Sequence, residues 1–374
     1  DGGHGVKKAL LTALLALVIT PLFAGGAYAE TLSEKTAGAT GATAAEQALP
    51  ESVRGISGRI EADGQYDAPG ALERLWRKML DTAAQEIKGN LQSASALAAI
   101  ALCTALASSL SPGGTAQGYI SIAGVGAAAA LLVGSVDSLA AQTVSALGLM
   151  SDYSRAALPA VFTAAAACGA VVSASARYAA VCIAIDVLMA AAQKFVIPLV
   201  YAYLALALCG ALFENPLLKT CQRFSKWLAT TFMTAFTIAF SGYIGLTGIV
   251  TSGVDAVAVK TARTVISTTL PVVGGIISDA ASTVLSAASM IRNSAGALSL
   301  VAVCALCAEP FVKLSVKILL FRAAAAVCDM VPNAKLSSFV NDVGSALSIL
   351  LGLVGCCAIM LFISFTAAIK VVTA

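Results

Sequence analysis

The sequence predicts an all-α, polytopic helical membrane protein with about six to eight transmembrane helices and a Pro/Gly-broken amphipathic hairpin. Three observations carry this prediction. Of 374 residues, 59% are hydrophobic and only 11% charged, against about 25% charged in soluble domains. One aqueous core cannot absorb so much apolar surface. Apolar runs of span length, about 20 residues, follow one another from Asn90 to the end. Between two of them the stretch Thr268 to Ala280, TTLPVVGGIISDA, breaks a helix with Pro271 and the pair Gly274 and Gly275 while staying apolar on both sides.

Several function classes fall away on composition. A formal charge of +3, with basic residues scattered, gives no nucleic-acid footprint. The single histidine, His4, precedes the expected cleavage site, so no imidazole remains for general-base or metal chemistry. Cys103, Cys168, Cys182, Cys209, Cys304, Cys356 and Cys357 lie in apolar runs, where free cysteine behaves as a small hydrophobe. Cys304 and Cys307 form a CxxC without a second pair, which argues against zinc. With no phosphate-cradling GxxxxGK[ST] loop in the sequence, nucleotide hydrolysis and a cofactor are not expected.

Residues 1–29 read as a signal peptide: Lys7 and Lys8, then ALLTALLALVITPLFA, then Ala27-Tyr28-Ala29. Cleavage is expected after Ala29, an uncleaved anchor being the alternative. Residues 30–90 form an extracytoplasmic polar segment holding ten acidic and seven basic residues, net −3. Its start, TLSEKTAGATGATAAEQ, is small and polar and predicts disorder. From Ala71 to Gly89, Leu72, Leu75, Trp76, Met79, Leu80, Ala83 and Ile87 recur at helical spacing. Such a helix lies on the membrane surface with Trp76 at headgroup level, or packs against a partner or its own membrane domain.

Residues 91–250 predict a transmembrane bundle with spans at 91–110, 119–147, 157–176, 178–213 in one or two passes, and 227–250. Residues 296–374 supply C-terminal spans at 296–312 and 343–369. The basic loops 214–226 (Lys219, Arg223, Lys226) and 313–335 (Lys313, Lys317, Arg322, Lys335) should face the cytoplasm. GVGAAAALLVG (124–134) and AAAACGAVVSASA (164–176) place small residues at spacings of four. That pattern implies close helix packing or self-association into a homo-oligomer, a pore lined by small residues being the weaker reading. Asp137 and Asp186 fall inside spans and should face the bundle interior or water, with Arg177 and Lys194 as candidate partners of Asp186. Neither sits in an aspartyl-protease setting, so an intramembrane hydrolase is not expected.

Residues 251–295 form the broken element. On a helical wheel Asp255, Lys260, Arg263, Thr264 and Ser267 gather on one half, and Val254, Val257, Ala258, Ala262 and Val265 on the other. After Pro271, Gly274 and Gly275, a second stretch carries Ser278, Asp279, Ser282 and Ser286 and ends at Arg292 and Asn293. Two half-helices around a Pro/Gly break predict a re-entrant or interfacial hairpin, with freed backbone groups covered by protein or facing a wet cavity. An ordinary amphipathic surface hairpin is the competing reading. Lys260, Arg263, Pro271, Gly274, Gly275, Asp279, Arg292 and Asn293 are the candidate pore or hairpin residues.

The run VDAVAVKTARTVISTTLPVVGGIISDAASTVLSAASMIRNSAGAL, followed by CALCAEPFVKLSVKILLFRAAAAV, closely resembles the stage III sporulation protein AE family of endospore-forming bacteria. The resemblance is strong over about 250–330 and looser from LPESV (49–53) to the last span; the alanine-rich early spans depart from the family's usual composition. It implies a multi-pass protein of the mother-cell membrane around the forespore. It further implies a transenvelope, secretion-like complex with the other stage III A-operon proteins and the stage II sporulation protein Q. The expected role is a membrane channel or export-platform subunit needed for forespore maintenance, the alternative being a non-conducting scaffold that assembles ring-forming partners. No catalytic residues carry over from the family.

Overall fold

The computed structural model describes residue 49 and residues 51–57, 66–110, 115–167, 171–213, 215–269, 274–329 and 334–370. The signal peptide and the first part of the polar segment lie outside the described residues. Every described element is helical: α1 (Glu51–Ser57), α2 (Ala68–Leu110), α3 (Thr115–Ala167), α4 (Val171–Ala191), a π-helical turn (Ala192–Val196), α5 (Ile197–Phe213), α6 (Pro216–Thr269), α7 (Gly274–Asp329) and α8 (Ala334–Lys370). Six candidate membrane spans lie on them: Ala68–Leu110, Ala116–Thr163, Ala174–Phe213, Pro216–Thr247, Gly296–Asp329 and Lys335–Ala368. The chain is a multi-pass helical membrane protein.

The antiparallel pair α7 and α8 forms the centre. In the span windows of these two helices 67% and 61% of residues are buried, against 17% in α2, so the other helices are arranged around them. α8 is buried nearly all round: Val343, Ala346, Leu347, Leu350, Leu353, Val354, Cys357, Met360 and Leu361 are enclosed, which a helix achieves only with neighbours on several sides. α3 packs on both central helices, α2 covers α7 and α3, and α5 and α6 cover α8. In lipid the drive for this packing is close van der Waals contact and interhelical hydrogen bonding rather than expulsion of water. Gly124 shows the first: a Cβ there would lie 2.4 Å from Thr104 Cγ2, so α2 and α3 approach because glycine leaves room. Thr237 Oγ1 on α6 and Cys356 Sγ on α8, 2.8 Å apart, show the second.

Several boundaries differ from the sequence reading. The span expected at 119–147 and the first half of that expected at 157–176 belong to one helix, α3, which runs through Asp152 and Pro159 to Ala167, while residues 171–176 begin α4. The 178–213 region lies in one continuous candidate span, because the π-helical turn joins α4 to α5 instead of reversing the chain. The helix at 71–89 continues into the span at 91–110 as α2, whose 43 residues measure about 65 Å, twice the hydrocarbon thickness of about 30 Å. The expected loop at 313–335 is mostly helix, since α7 continues to Asp329 and carries Lys313, Lys317 and Arg322. Lys219, Arg223 and Lys226 likewise sit in the first turns of α6. Long lysine and arginine stems tolerate a helical position near a bundle end because the charge reaches outward while the methylenes pack.

The two basic segments converge. Lys226 Nζ donates to Ser345 Oγ at 3.1 Å, and the Arg322 side chain lies next to Gly344, 3.9 Å from a Cβ built there. Both cationic stretches therefore meet beside the start of α8. At the other end, Arg177 of α4 reaches the carbonyl of Ala367 near the end of α8. The halves of the interrupted element extend α6 to Thr269 and start α7 at Gly274, both helical; Pro271 lies outside the described residues.

Candidate functional site

The groove between α3 and the continuous α4–α5 rod collects ionisable groups within the span-length helices. Local sequence explains the rod's shape. Pro198 has no N–H to give the carbonyl of Lys194, and its ring would crowd that carbonyl in a regular α-helix. The chain widens instead: the Ile197 N–H bonds the carbonyl of Ala192, five residues back, closing the π-helical turn. Lys194 lies in that turn and is exposed.

Two polar pairs bridge the groove. Tyr201 of α5 donates to Asp137 Oδ1 of α3 at 2.7 Å. Arg155 of α3 pairs with Asp186 of α4, the two side chains being 60% and 57% exposed. Asp186 thus has Arg155 as its partner, in place of the expected Arg177 or Lys194; Arg177 is buried and donates to Ala367 instead. Among the described residues Lys194 has no hydrogen-bond or ion-pair partner. Asp137 lies near the midpoint of Ala116–Thr163 and Lys194 near the midpoint of Ala174–Phe213. From Asp137 to Arg155 the groove extends about 27 Å along α3 at about 1.5 Å per residue, close to the hydrocarbon thickness of about 30 Å.

Both aspartates are exposed on this single chain; of the two placements the sequence reading allowed, bundle interior or water, exposure is compatible with the second. A charged group at bilayer depth costs about 2.5–3.5 kcal/mol on insertion scales. The exposed groove is therefore a surface that lipid tails cover poorly, suited to water or protein.

Two further polar contacts between helices are half-buried. The Tyr203 hydroxyl of α5 donates to Asp342 Oδ1 of α8 at 3.1 Å, with Gln222 and Ser345 adjoining the phenol. Lys317 Nζ of α7 donates to Ser135 Oγ of α3 at 2.7 Å. These contacts fix the register of the central helices. A cavity of about 300 Å³ lies between α1, α2, α3 and α7, edged by Lys78, Thr82, Gln142, Ser145 and the Glu309–Lys313 ion pair beside Pro310. The Cys307 thiol packs 3.8 Å from Met150 Sδ, and no group of potential metal ligands occurs among the described residues.

Of the hairpin residues singled out in the sequence, Lys260 is exposed on α6. The backbones of Arg263, Gly274, Gly275, Asp279, Arg292 and Asn293 are helical, and their side chains lie outside the description. The structure brings Asp137 and Asp186 into one groove. Sequence reasoning missed Arg155 and Tyr201 as partners, because nothing local links them to residues 31 and 64 positions away. The Pro198 signal for a distorted turn at Lys194 was present in the sequence.

The family model described as Stage III sporulation protein AE (spore_III_AE) matches residues 63–372. The stage III sporulation protein AE of Bacillus subtilis (strain 168) is 21% identical over 224 residues, an alignment covering 60% of this chain and 56% of the relative. The chain thus spans little more than half the length of that relative. No solved structure matches the chain.

Proposed function

Because the chain belongs to the stage III sporulation protein AE family, whose role is in sporulation, we propose that it is a membrane channel or export-platform subunit of the transenvelope complex between mother cell and forespore. The observation that carries this reading is the outward-facing polar groove of Asp137, Arg155, Asp186 and Tyr201, about as long as the hydrocarbon is thick. Solute passing a bilayer needs such a polar line, and a groove open on one side is closed by neighbouring protein. The hairpin of Lys260, Arg263, Pro271, Gly274, Gly275, Asp279, Arg292 and Asn293 serves as the docking end of the path. The basic end beside the start of α8 faces the mother-cell cytoplasm, and the leader is removed after Ala29. Partners on this reading are the other stage III A-operon proteins and the stage II sporulation protein Q.

The test is ion or solute flux through vesicles reconstituted with the purified chain. Flux above that of protein-free vesicles supports the reading; intact assembly without flux overturns it in favour of a scaffold. One observation favours the scaffold. Leu72, Trp76, Leu80, Ile87 and Leu91 form an exposed apolar stripe along α2 at spacings of four and seven, a face that a partner helix can bind.

A further inference from the structure

We propose that the cavity between α2, α3 and α7 is a water-filled site within the membrane that takes a small organic anion, with Lys78 as its free cation. It lies on another face of α3 from the groove: at about 100° per residue, Gln142, Ser145 and Leu149 stand about 80–140° round the helix from Asp137 and Arg155. The inference rests on this cavity alone and stands whether or not the assembly conducts.

Three observations lead to it. Lys78 and Thr82 of α2, Gln142 and Ser145 of α3, and Glu309 and Lys313 of α7 border one cavity of about 300 Å³. Gln142 lies near the midpoint of Ala116–Thr163 and Lys313 near that of Gly296–Asp329, so polar groups meet in the middle of two candidate spans. The second observation is that this polarity is patterned. Lys78, Thr82 and Glu86 follow one another at spacings of four on α2, as do Glu309, Lys313 and Lys317 on α7, a spacing that keeps each set on one helix face. The two sets meet: Lys78 and Thr82 share the cavity with Glu309 and Lys313, Glu86 stands within electrostatic reach of Lys317, and Lys317 donates to Ser135 of α3. Third, Pro310 has no N–H for the carbonyl of Leu306, a residue that borders the cavity. A backbone acceptor freed at membrane depth is met by water or protein, never by lipid.

Charge then selects the solute. The ionisable lining groups are Lys78, Lys313 and Glu309, two cations against one carboxylate. Lys313 is held by Glu309 at 2.6 Å, whereas the Lys78 side chain has no hydrogen-bond or ion-pair partner among the described residues. An ammonium at this depth needs an anion or water, because lipid tails supply neither. The Gln142 amide and the Ser145 hydroxyl add neutral donors, and Met79, Ala146 and Leu149 give an apolar wall for a short carbon chain.

The test uses the full chain in membranes, carrying Ser145→Cys and treated separately with the anionic 2-sulfonatoethyl and the cationic trimethylammonioethyl methanethiosulfonate. Peptide mass reads each cysteine by itself. Ile238→Cys, at an exposed apolar position of α6 within Pro216–Thr247, is the lipid-facing reference. Native Cys307 and Cys357, both buried, stay unmodified in a folded chain. The Ser145→Cys thiol is expected to react about tenfold faster than that of Ile238→Cys, since only a thiol in water ionises readily. With each rate divided by that of a free thiol in solution, the anionic reagent is expected to be favoured about tenfold, as a cleft of one sign concentrates counter-ions. Lys78→Gln, a change at an exposed side chain, is expected to abolish that preference. Gln142→Cys is the second reporter and is expected to behave in the same way, should Ser145→Cys expose the buried cysteines. Modification no faster than at Ile238→Cys would show a dry cavity and overturn the proposal. Equal normalised rates for the two reagents, or a preference that survives Lys78→Gln, would overturn the anion site.

Discussion

Arg177, near the start of α4, donates through Nη1 to the main-chain carbonyl of Ala367 in the last turn of α8, 2.8 Å away and 190 residues along the chain. The last four carbonyls of a helix have no intrahelical donor, and a cation at this end is favoured by the helix dipole. A buried guanidinium thus closes the central helix where its own backbone cannot.

Replacing Arg177 with Met keeps much of the apolar stem but leaves that carbonyl unpaired. Hydrogen bonds to charged groups contribute about 1.5–3 kcal/mol, so the variant should lose stability of that order, visible as a lower thermal midpoint in detergent. A midpoint unchanged within error would show that α4 does not brace α8.

The crossing of α2 and α3 depends on Gly124. Thr104 is held in place because its hydroxyl donates to the carbonyls of Ile100 and Ala101 at 2.9 and 2.8 Å, so it cannot easily swing away. Gly124→Val should destabilise the protein by about 1–3 kcal/mol through overpacking. Adding Thr104→Ala should recover part of that loss in the double variant. Equal melting of the single and double variants would rule out this contact as the cause.

Tyr66 donates to the carbonyl of Ser57 at 2.5 Å and Arg74 Nε donates to that of Ile56 at 3.2 Å, capping the end of α1. Burial pushes the phenol above its ordinary pKa, partly opposed by the Arg74 charge. A raised folded-state pKa favours the neutral phenol. Its stabilisation is therefore complete below about pH 10, the unperturbed value, and is lost as pH rises above it. Tyr66→Phe should weaken the attachment of α1 by about 1 kcal/mol at neutral pH and flatten the alkaline loss. Limited proteolysis around residues 58–65 across pH 8–11 measures both effects.

For the interrupted element, replacing Gly274 and Gly275 together with Leu should lower spore yield while protein abundance stays at the wild-type level. Both glycines open the helix that follows the break, so the substitution places two bulky apolar side chains at the break without straining the backbone. Normal spore yield would remove the hairpin from the mechanism.

Sequence alone determined the helical class, the membrane habitat and the family, since these depend on properties local in the chain. Apolar length sets whether a helix spans, helical period sets which face is apolar, and the block around Pro271, Gly274 and Gly275 marks the family. The same locality misled at boundaries. Lys313, Lys317 and Arg322 read as loop residues because charge interrupts the apolar run, yet α7 continues through them because helix propensity and packing on α8 and α3 outweigh three long cations. Tertiary structure alone decided that Asp186 meets Arg155 and that Asp137 meets Tyr201 on an outward face. Those pairings depend on how rigid rods cross, a relation among residues tens of positions apart that no helical period encodes.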